Sequence, residues 1–392
     1  MNYIFISPNF PENYMHFCEK LKANGAVVLG IGSEKYDNLK PELKASLNEY
    51  YKVNNMESYD EMLRAVGFFT HKYGKIQRIE SHNEYWLEQD ARLREDFNIP
   101  GYRPDTLITA KKKSEMKKIF IKAGVPVAKG EIIHSREDGL NFIKKNGFPV
   151  CIKPDIGVGA TDTYRIENDI ELEKFFNEKN LEKFNYIMEE WIDGEIVSFD
   201  GITDMDGNII FHGSFHLDIG VMEIIRDDLD VFYYTLRTPP IPLVEYGKKI
   251  IKEFNIKERF FHLEFFKKKD GSYVALELNS RPPGGMTIDM YNYATSLDLY
   301  DLYAKTVLGK KVFLVPEYDN YAAFVGRKNN KNYLYSIDEV CHLFKDIIVY
   351  HGPLPSLYSE SMGDYAFILR DPEFAKIKAA ATGILERTMY DV

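Results

Sequence analysis

The chain has 392 residues, 45% of them apolar and 28% charged, and a formal net charge of -10. That length holds two or three domains around a substantial core, and the composition is that of a folded globular protein, not a disordered one. The acidic balance argues against a general nucleic-acid binder, which shows a basic face, and no run reaches the roughly 18 apolar residues of a membrane helix.

Met1 to Pro8 has neither a basic n-region nor a small-residue cleavage site, so no secretory signal is expected. Tyr3 to Ser7 reads instead as a strand, Tyr14, Phe17, Cys18 and Leu21 fall at helical spacing, and Ala26 to Ile31 reads as a second strand. Gln77 to Ser81 adds a strand and Glu84 to Phe97 a helix, so residues 1–105 suggest an open α/β domain with a parallel sheet. Its first loop, Ser7-Pro8-Asn9-Phe10-Pro11, lacks the glycines of a dinucleotide fingerprint, which disfavours a Rossmann dehydrogenase. Met116, Ile119, Phe120 and Ala123 lie on one helical face that stops at Gly124-Val125-Pro126. From there to residue 310 strands and helices mix without strict alternation, which favours α+β. Pro239 to Pro242 precede a helix near 243–254. The last segment, 311–392, holds strands at Tyr321 to Gly326 and Ala366 to Arg370 and a helix from Pro372 to Arg387. Cys18, Cys151 and Cys341 have no metal spacing and read as reduced thiols of a cytoplasmic protein.

Three stretches carry chemistry. In Glu277-Leu278-Asn279-Ser280-Arg281, strand alternation turns Glu277, Asn279 and Arg281 to one side and Leu276 and Leu278 to the other. Glu264 stands on a neighbouring strand, which the Lys267 to Gly271 turn brings alongside. Oxygen ligands beside an arginine suit a hard cation and a phosphate or carboxylate; the alternative is an ordinary solvent-facing hairpin. Lys153 ends an apolar strand before a turn with Gly157 and Gly159, an arrangement that places an ammonium and backbone N–H groups around phosphates. It is not a Walker A loop, and taken alone Lys153 reads rather as an exposed strand-end lysine. Tyr186 to Glu195 begins as an apolar strand, turns acidic at Glu189 and Glu190, and bends at Gly194. Such a segment reads a purine through main-chain groups and a ribose through a carboxylate, or is simply an acidic strand exit.

In chain order, with Lys153 and its glycine turn first, then the Glu189 to Glu195 segment, then Glu264 and Glu277 to Arg281, the stretches resemble the ATP-grasp superfamily over residues 3–310, the carboxylate-amine and amino-acid ligase-like branch related to biotin carboxylase and carbamoyl phosphate synthetase. The resemblance implies an ATP-grasp fold, α/β plus α+β, whose N-terminal open parallel α/β domain is residues 1–105. Residues 106–195 would be the small lid portion with glycine loop and adenine hinge, 196–310 the large portion with the metal site, and 311–392 a C-terminal α+β subdomain. Carried over by position, Lys113 and Lys153 become the nucleotide-phosphate lysines, although Lys111, Lys112 and Lys113 are interchangeable on sequence grounds. Gly157 and Gly159 become the phosphate loop, Glu189, Glu190, Trp191 and Ile192 the adenine hinge, and Glu195 the ribose ligand. Glu264, Glu277 and Asn279 become ligands of two Mg2+ ions, with Mn2+ an acceptable substitute, and Arg281 and Lys153 the catalytic cations. Arg281-Pro282-Pro283-Gly284-Gly285-Met286 leans toward an amino-acid or peptide ligase.

The activity so implied is ATP-dependent joining of a small carboxylate to a small amine with release of ADP and phosphate. No nucleic acid or membrane takes part, and similar proteins are often homodimers. Within the same fold the rival is a bicarbonate-activating enzyme. A non-catalytic nucleotide-binding regulator and a glycosidase with Glu264 and Glu277 as paired carboxylates are rivals from other classes. His216, Asp218, Glu223, Arg226 and Arg237 are acceptor-contact candidates, and His212 with His216, lacking a third partner, is disfavoured as a metal pair. No Gly-x-Ser-x-Gly elbow supports a hydrolase triad.

Overall fold

A computed structural model describes residues 1–157, 162–181, 183–312 and 317–388. The first four strands, β1 (Asn2–Ile6), β2 (Val27–Gly32), β3 (Glu49–Lys52) and β4 (Arg78–Glu80), form a parallel sheet in the order β3-β2-β1-β4. β1 is apolar on both faces, as a strand covered on both sides must be. Its Tyr3 and Phe5 meet Phe17 and Leu21 of the helix Met15–Ala23, while Ile4 and Ile6 meet Met62, Ala65 and Phe69 of the helix Tyr59–Tyr73. The chain leaves β1 toward β2 and returns to β4 on its other side, so the loops after β1 and β4 diverge and leave a crevice at their carboxyl ends. The helix expected from Glu84 opens as a 3-10 turn, Glu84–Trp86, capped by the Asn83 side chain, and becomes α-helical over Leu87–Asp96.

A second sheet is antiparallel, β5 (Gly130–Ile133), β6 (Val150–Pro154), β7 (Tyr164–Ile166) and β8 (Tyr186–Glu190), in the order β5-β8-β6-β7. Ile133, Val150, Ile152, Ile166 and Met188 face the helices Arg136–Asn146 and Asp169–Glu178. The period of two therefore turns Cys151, Lys153, Arg165, Ile187 and Glu189 to the opposite face.

The remaining strands are β9 (Gly194–Thr203), β10 (Ile209–Gly213), β11 (Phe215–Leu217), β12 (Val231–Thr235), β13 (Phe260–Lys268), β14 (Tyr273–Asn279), β15 (Tyr321–Arg327), β16 (Ile348–Pro353) and β17 (Tyr365–Asp371). They build one nine-stranded sheet, ordered β14-β13-β9-β11-β12-β15-β17-β16 with β10 on β9, so strands before and after residue 310 hydrogen-bond together. Val197, Phe199, Phe261, Leu263, Phe265 and Leu278 pack on one face against the helices Lys113–Lys122 and Ile241–Glu253. The latter helix starts at Ile241 with Pro242 in its first turn, where a missing N–H costs nothing. Its Gly247 lies against Phe199, and a Cβ there would stand 2.1 Å from the ring's Cδ1. Gly247→Ala should therefore lower stability by about 1–3 kcal/mol, read from the urea midpoint. Among the described residues no helix is long and apolar enough to cross a membrane, and all three cysteines are free.

Candidate functional site

On the face of the large sheet away from that core, β9, β13 and β14 align their polar residues. Glu264 pairs across the strands with Glu277 and with Ser198, and His262 pairs with Asn279 and with Asp200. A bulge makes this possible. The register shifts between Glu264 and Phe265, leaving Leu276 as the extra residue of β14, so Ala275 and Leu278 both reach the core while Glu277 and Asn279 turn to the site. Strict alternation, the basis of the sequence expectation, would have placed Ala275 and Glu277 on one side. The site face is thus as expected, but Leu276 is half-buried in the bulge and does not join Leu278 in the core.

Two carboxylates side by side repel. Burial raises the Glu277 carboxyl above the ordinary carboxylate range, the Lys113 ammonium offsets part of that, and the nearby Glu84 and Glu264 push it further up. Lys113 Nζ lies 3.0 Å from Glu277 Oε1 and donates to the Gly157 carbonyl at 3.3 Å. The three adjacent lysines separate here: Lys112 points to Asp155, at 3.6 Å, and Lys111 to Glu88, at 2.8 Å. Asp155, at the exit of β6, fixes this choice by capping the helix from another strand. Its Oδ1 accepts from the Ser114 amide at 2.7 Å, its Oδ2 from the Ser114 hydroxyl at 2.9 Å, and its carbonyl from the Lys113 amide at 2.8 Å.

Glu264 is held from behind. His262 Nε2 lies 3.1 Å from Glu264 Oε1 and His262 Nδ1 lies 2.6 Å from Asp200 Oδ1, while Asp200 Oδ2 accepts from Ser198 at 2.7 Å and from Tyr291 at 2.5 Å. Burial disfavours the imidazolium, but Asp200 and then Glu264 outweigh it and raise His262 to about 9. Among the described residues no three His, Cys, Asp or Glu side chains group to cage an ion by themselves. Mg2+ takes most of its ligands from phosphates and water and needs one or two carboxylates, so Glu264, Glu277 and Asn279 suit it as an open site.

The second sheet faces this floor with Lys153 and Glu189, 2.7 Å apart and both buried. Lys117, one turn after Lys113, reaches the other oxygen of Glu189 at 2.6 Å. Burial alone would raise Glu189, yet the Lys153 and Lys117 ammonium groups hold it down to about 2. Glu190 turns away and accepts from the Lys129 amide at 2.9 Å. Trp191 is half-buried with the Arg165 guanidinium 4.6 Å over its ring, and its amide donates to Pro149. The Ile192 amide donates to no carbonyl among the described residues, which leaves a main-chain donor at the hinge. Glu195 lies at the start of β9, 3.1 Å from His216 Nε2 and 3.5 Å from Lys267. Gly159 lies outside the described residues.

Arg281, just beyond β14, is half-buried and donates through Nε and Nη2 to Glu84 Oε2, at 3.3 and 3.0 Å, and through Nη1 to the Pro282 carbonyl at 2.9 Å. Of the acceptor candidates, His216 bonds Tyr234 at 2.7 Å and lies 3.7 Å from Asp218, but Arg226 pairs with its neighbour Asp227 at the surface and Arg237 donates to the Tyr318 carbonyl. Those two arginines are engaged elsewhere. Sequence reasoning passed over Glu84, Lys117, Asp155, Asp200 and His262. Lys117 alone had a local signal, its spacing of four from Lys113. A cleft of about 380 Å3 opens beside the helix Lys113–Lys122, lined among the described residues by Lys112, Lys117, Asp155, Ile132 and Ile187 but not by Lys153, β13 or β14.

Residues 146–289 match the family model of the ATP-grasp domain. Among curated proteins the chain is similar to the carbamoyl phosphate synthase large chain, C-terminal section, of Methanocaldococcus jannaschii, 24% identical over 227 residues, covering 57% of this chain and 36% of that protein. It is also similar to the L-arginine-specific L-amino acid ligase of Bacillus subtilis, 25% identical over 237 residues, covering 59% of this chain and 57% of that one. It thus spans less than two thirds of the length of these relatives. Among solved structures, L-amino acid ligase from Bacillus licheniformis superposes with a TM-score of 0.75 at 15% identity, over 98% of this chain and 96% of that chain. The biotin carboxylase domain of Hydrogenobacter thermophilus 2-oxoglutarate carboxylase, in complex with MgADP, ADP and bicarbonate, gives 0.73 at 17% identity, over 96% of this chain and 89% of that chain. At these identities the likeness is one of fold.

Proposed function

This chain carries an ATP-grasp domain, and on that premise we propose that it is an ADP-forming carboxylate-amine ligase for an amino-acid or peptide-like substrate. The observation that carries the reading is the meeting of Glu264 and Glu277 as cross-strand neighbours, with Lys113 3.0 Å from Glu277 and Arg281 at the end of the same strand. A carboxylate oxygen would attack the terminal phosphorus of ATP as the bond to the ADP oxygen breaks. An amine nitrogen would then attack the acyl carbon, phosphate leaving with the C–O electron pair and the nitrogen losing a proton.

Such transfer needs positioning and charge neutralisation more than a protein nucleophile, and the residues are of that kind. Lys113 and Lys153 would bind the phosphates, Gly157 would line their loop, and Arg281 would grip the transferring phosphoryl or the acyl group. Glu189, Glu190, Trp191 and Ile192 would border the adenine, read by main-chain atoms, and Glu195 the ribose. Glu264, Glu277 and Asn279 would hold two Mg2+ ions, which would neutralise the charge of the phosphate chain. That a structural neighbour holds MgADP supports nucleotide and metal as the pair to test.

MgATP should raise the melting temperature. At 100 times its dissociation constant a ligand adds about 2.7 kcal/mol. A melt unmoved by millimolar MgATP overturns the assignment. ADP release is then screened against carboxylates and amines, singly and in pairs; release driven by bicarbonate alone would replace the amide-forming reading with the bicarbonate-activating one.

A further inference from the structure

The carboxyl ends of β1 and β4 flank the crevice at the topological switch point of the first sheet, the place where open α/β sheets receive ligands. Both of its loops converge on the turn after Arg281. From the loop after β1, Asn13 donates to the Gly285 carbonyl at 3.3 Å and to Asp289 Oδ2 at 2.9 Å, and the Tyr14 hydroxyl donates to the His82 carbonyl at 2.9 Å, joining the two loops. From the loop after β4 comes Glu84, buried, its Oε2 on Arg281. Both bonds from Arg281 go to that one oxygen, so Oε1 accepts no hydrogen bond among the described residues. Arg281 in turn keeps N–H donors beyond those it spends on Glu84 and Pro282. An open anionic acceptor thus adjoins open cationic donors, in the crevice and beside the carboxylate pair of β13 and β14.

We propose that this juxtaposition is a receptor for the zwitterion of an α-amino acid, Arg281 taking its carboxylate and Glu84 its ammonium. The proposal rests on the ligase reading and deepens it by making Glu84 a specificity-determining residue for the acid that is activated. Ammonium and carboxylate share one carbon in an α-amino acid, so their receptors must be immediate neighbours, as Arg281 and Glu84 are. The pairing has a chemical use. An activated amino acid carries its own nucleophile, and a carboxylate that keeps this amine as ammonium ties its lone pair into an N–H bond and leaves the acyl group to the second substrate.

The test uses the whole chain with MgATP and hydroxylamine as a general amine, and follows ADP release with each of the common L-amino acids. Each is compared with the acid lacking its amino group, propanoate for L-alanine or 3-phenylpropanoate for L-phenylalanine. The expected result is a strong preference for the amino acid, and in Glu84→Gln a rise in its KM on the order of 10- to 100-fold with little change for the deaminated acid. Glu84→Asp, which keeps the charge, should retain the preference, and this variant decides the matter if Glu84→Gln does not fold. Equal losses for both acids would overturn the proposal by making Glu84 a mere support for Arg281; a shift confined to the Mg2+ requirement would overturn it by making Glu84 a metal ligand. If other carboxylates drive ADP release and no α-amino acid does, the receptor is wrong and the ligase stands. ADP release that survives Glu277→Ala would instead remove the ligase site itself.

Discussion

Replacing Glu277 by alanine should lower magnesium-dependent ADP release at least 100- to 1000-fold, roughly the 2.7 to 4 kcal/mol lost with one preorganised contact to a transition state. Glu277 stands between Glu264 on the neighbouring strand and the Lys113 ammonium, so its removal alters both the proposed metal floor and, among the described residues, the only carboxylate paired with Lys113. Leaving that lysine buried without its partner also costs stability, on the order of 3–5 kcal/mol by the usual price of a broken buried pair. Activity and stability must therefore be read together. Glu277→Gln keeps the shape and a hydrogen-bond acceptor for Lys113, so it should melt closer to the parent while remaining nearly inactive. A variant that is stable and still turns over ATP with magnesium would show that the floor of β13 and β14 is not the reactive centre.

The second large effect lies at Glu189. Its carboxylate neutralises two buried lysines, Lys153 and Lys117, and Glu189→Ala would leave both charges without their counter-ion. The loss should be roughly 3–5 kcal/mol or more, with nucleotide-dependent stabilisation lost as well. Acid should reproduce part of it. The carboxyl titrates at about 2 in the fold against 4.5 as the ordinary value. Between those values the unfolded chain binds the extra proton, so stability rises with pH there. The contribution is fully present above about pH 4.5 and disappears as pH falls through about 2, for a total of roughly 3 kcal/mol at 1.36 kcal/mol per unit. Urea midpoints measured from pH 6 to pH 2 should fall more steeply for the parent than for Glu189→Ala. Parallel profiles would mean that Glu189 is not the charged partner of Lys153 and Lys117. Glu80, held to about 2 against burial by Arg259 and Arg94, adds a slope in the same window that both proteins share.

Much of the site was legible because strands have a short period. Alternation alone turns Glu277 and Asn279 to one side, and a Gly-containing turn after β13 returns the chain beside Glu264. The first strands and helices were legible for the same reason: Tyr3 to Ile6 is apolar on both faces, and Phe17, Cys18 and Leu21 repeat at the helical period. Less legible was β3 (Glu49–Lys52), a short edge strand whose residues are half-buried or exposed and carry no clear alternation. The bulge at Leu276 was hidden too, because nothing in Leu-Glu-Leu-Asn says which residue is the extra one; only pairing with β13 decides it.

By itself, then, the sequence determined the parallel first sheet, the acidic β13-β14 hairpin with its arginine, and the two lysine-bearing elements, all of them local patterns of period, turn chemistry and residue type. The tertiary structure alone decided which of three consecutive lysines enters the site, because the choice rests on Asp155 capping the helix start from another strand, 41 residues away. It also decided that Glu84 meets Arg281, 197 positions away, and that Asp200 and His262, 62 positions apart, stand behind Glu264. Contacts of this kind leave no period in the chain. They come from packing the first sheet and the small sheet against the face of the large one, and from the cost of burying a charge without its counter-charge, which is met only when the fold closes.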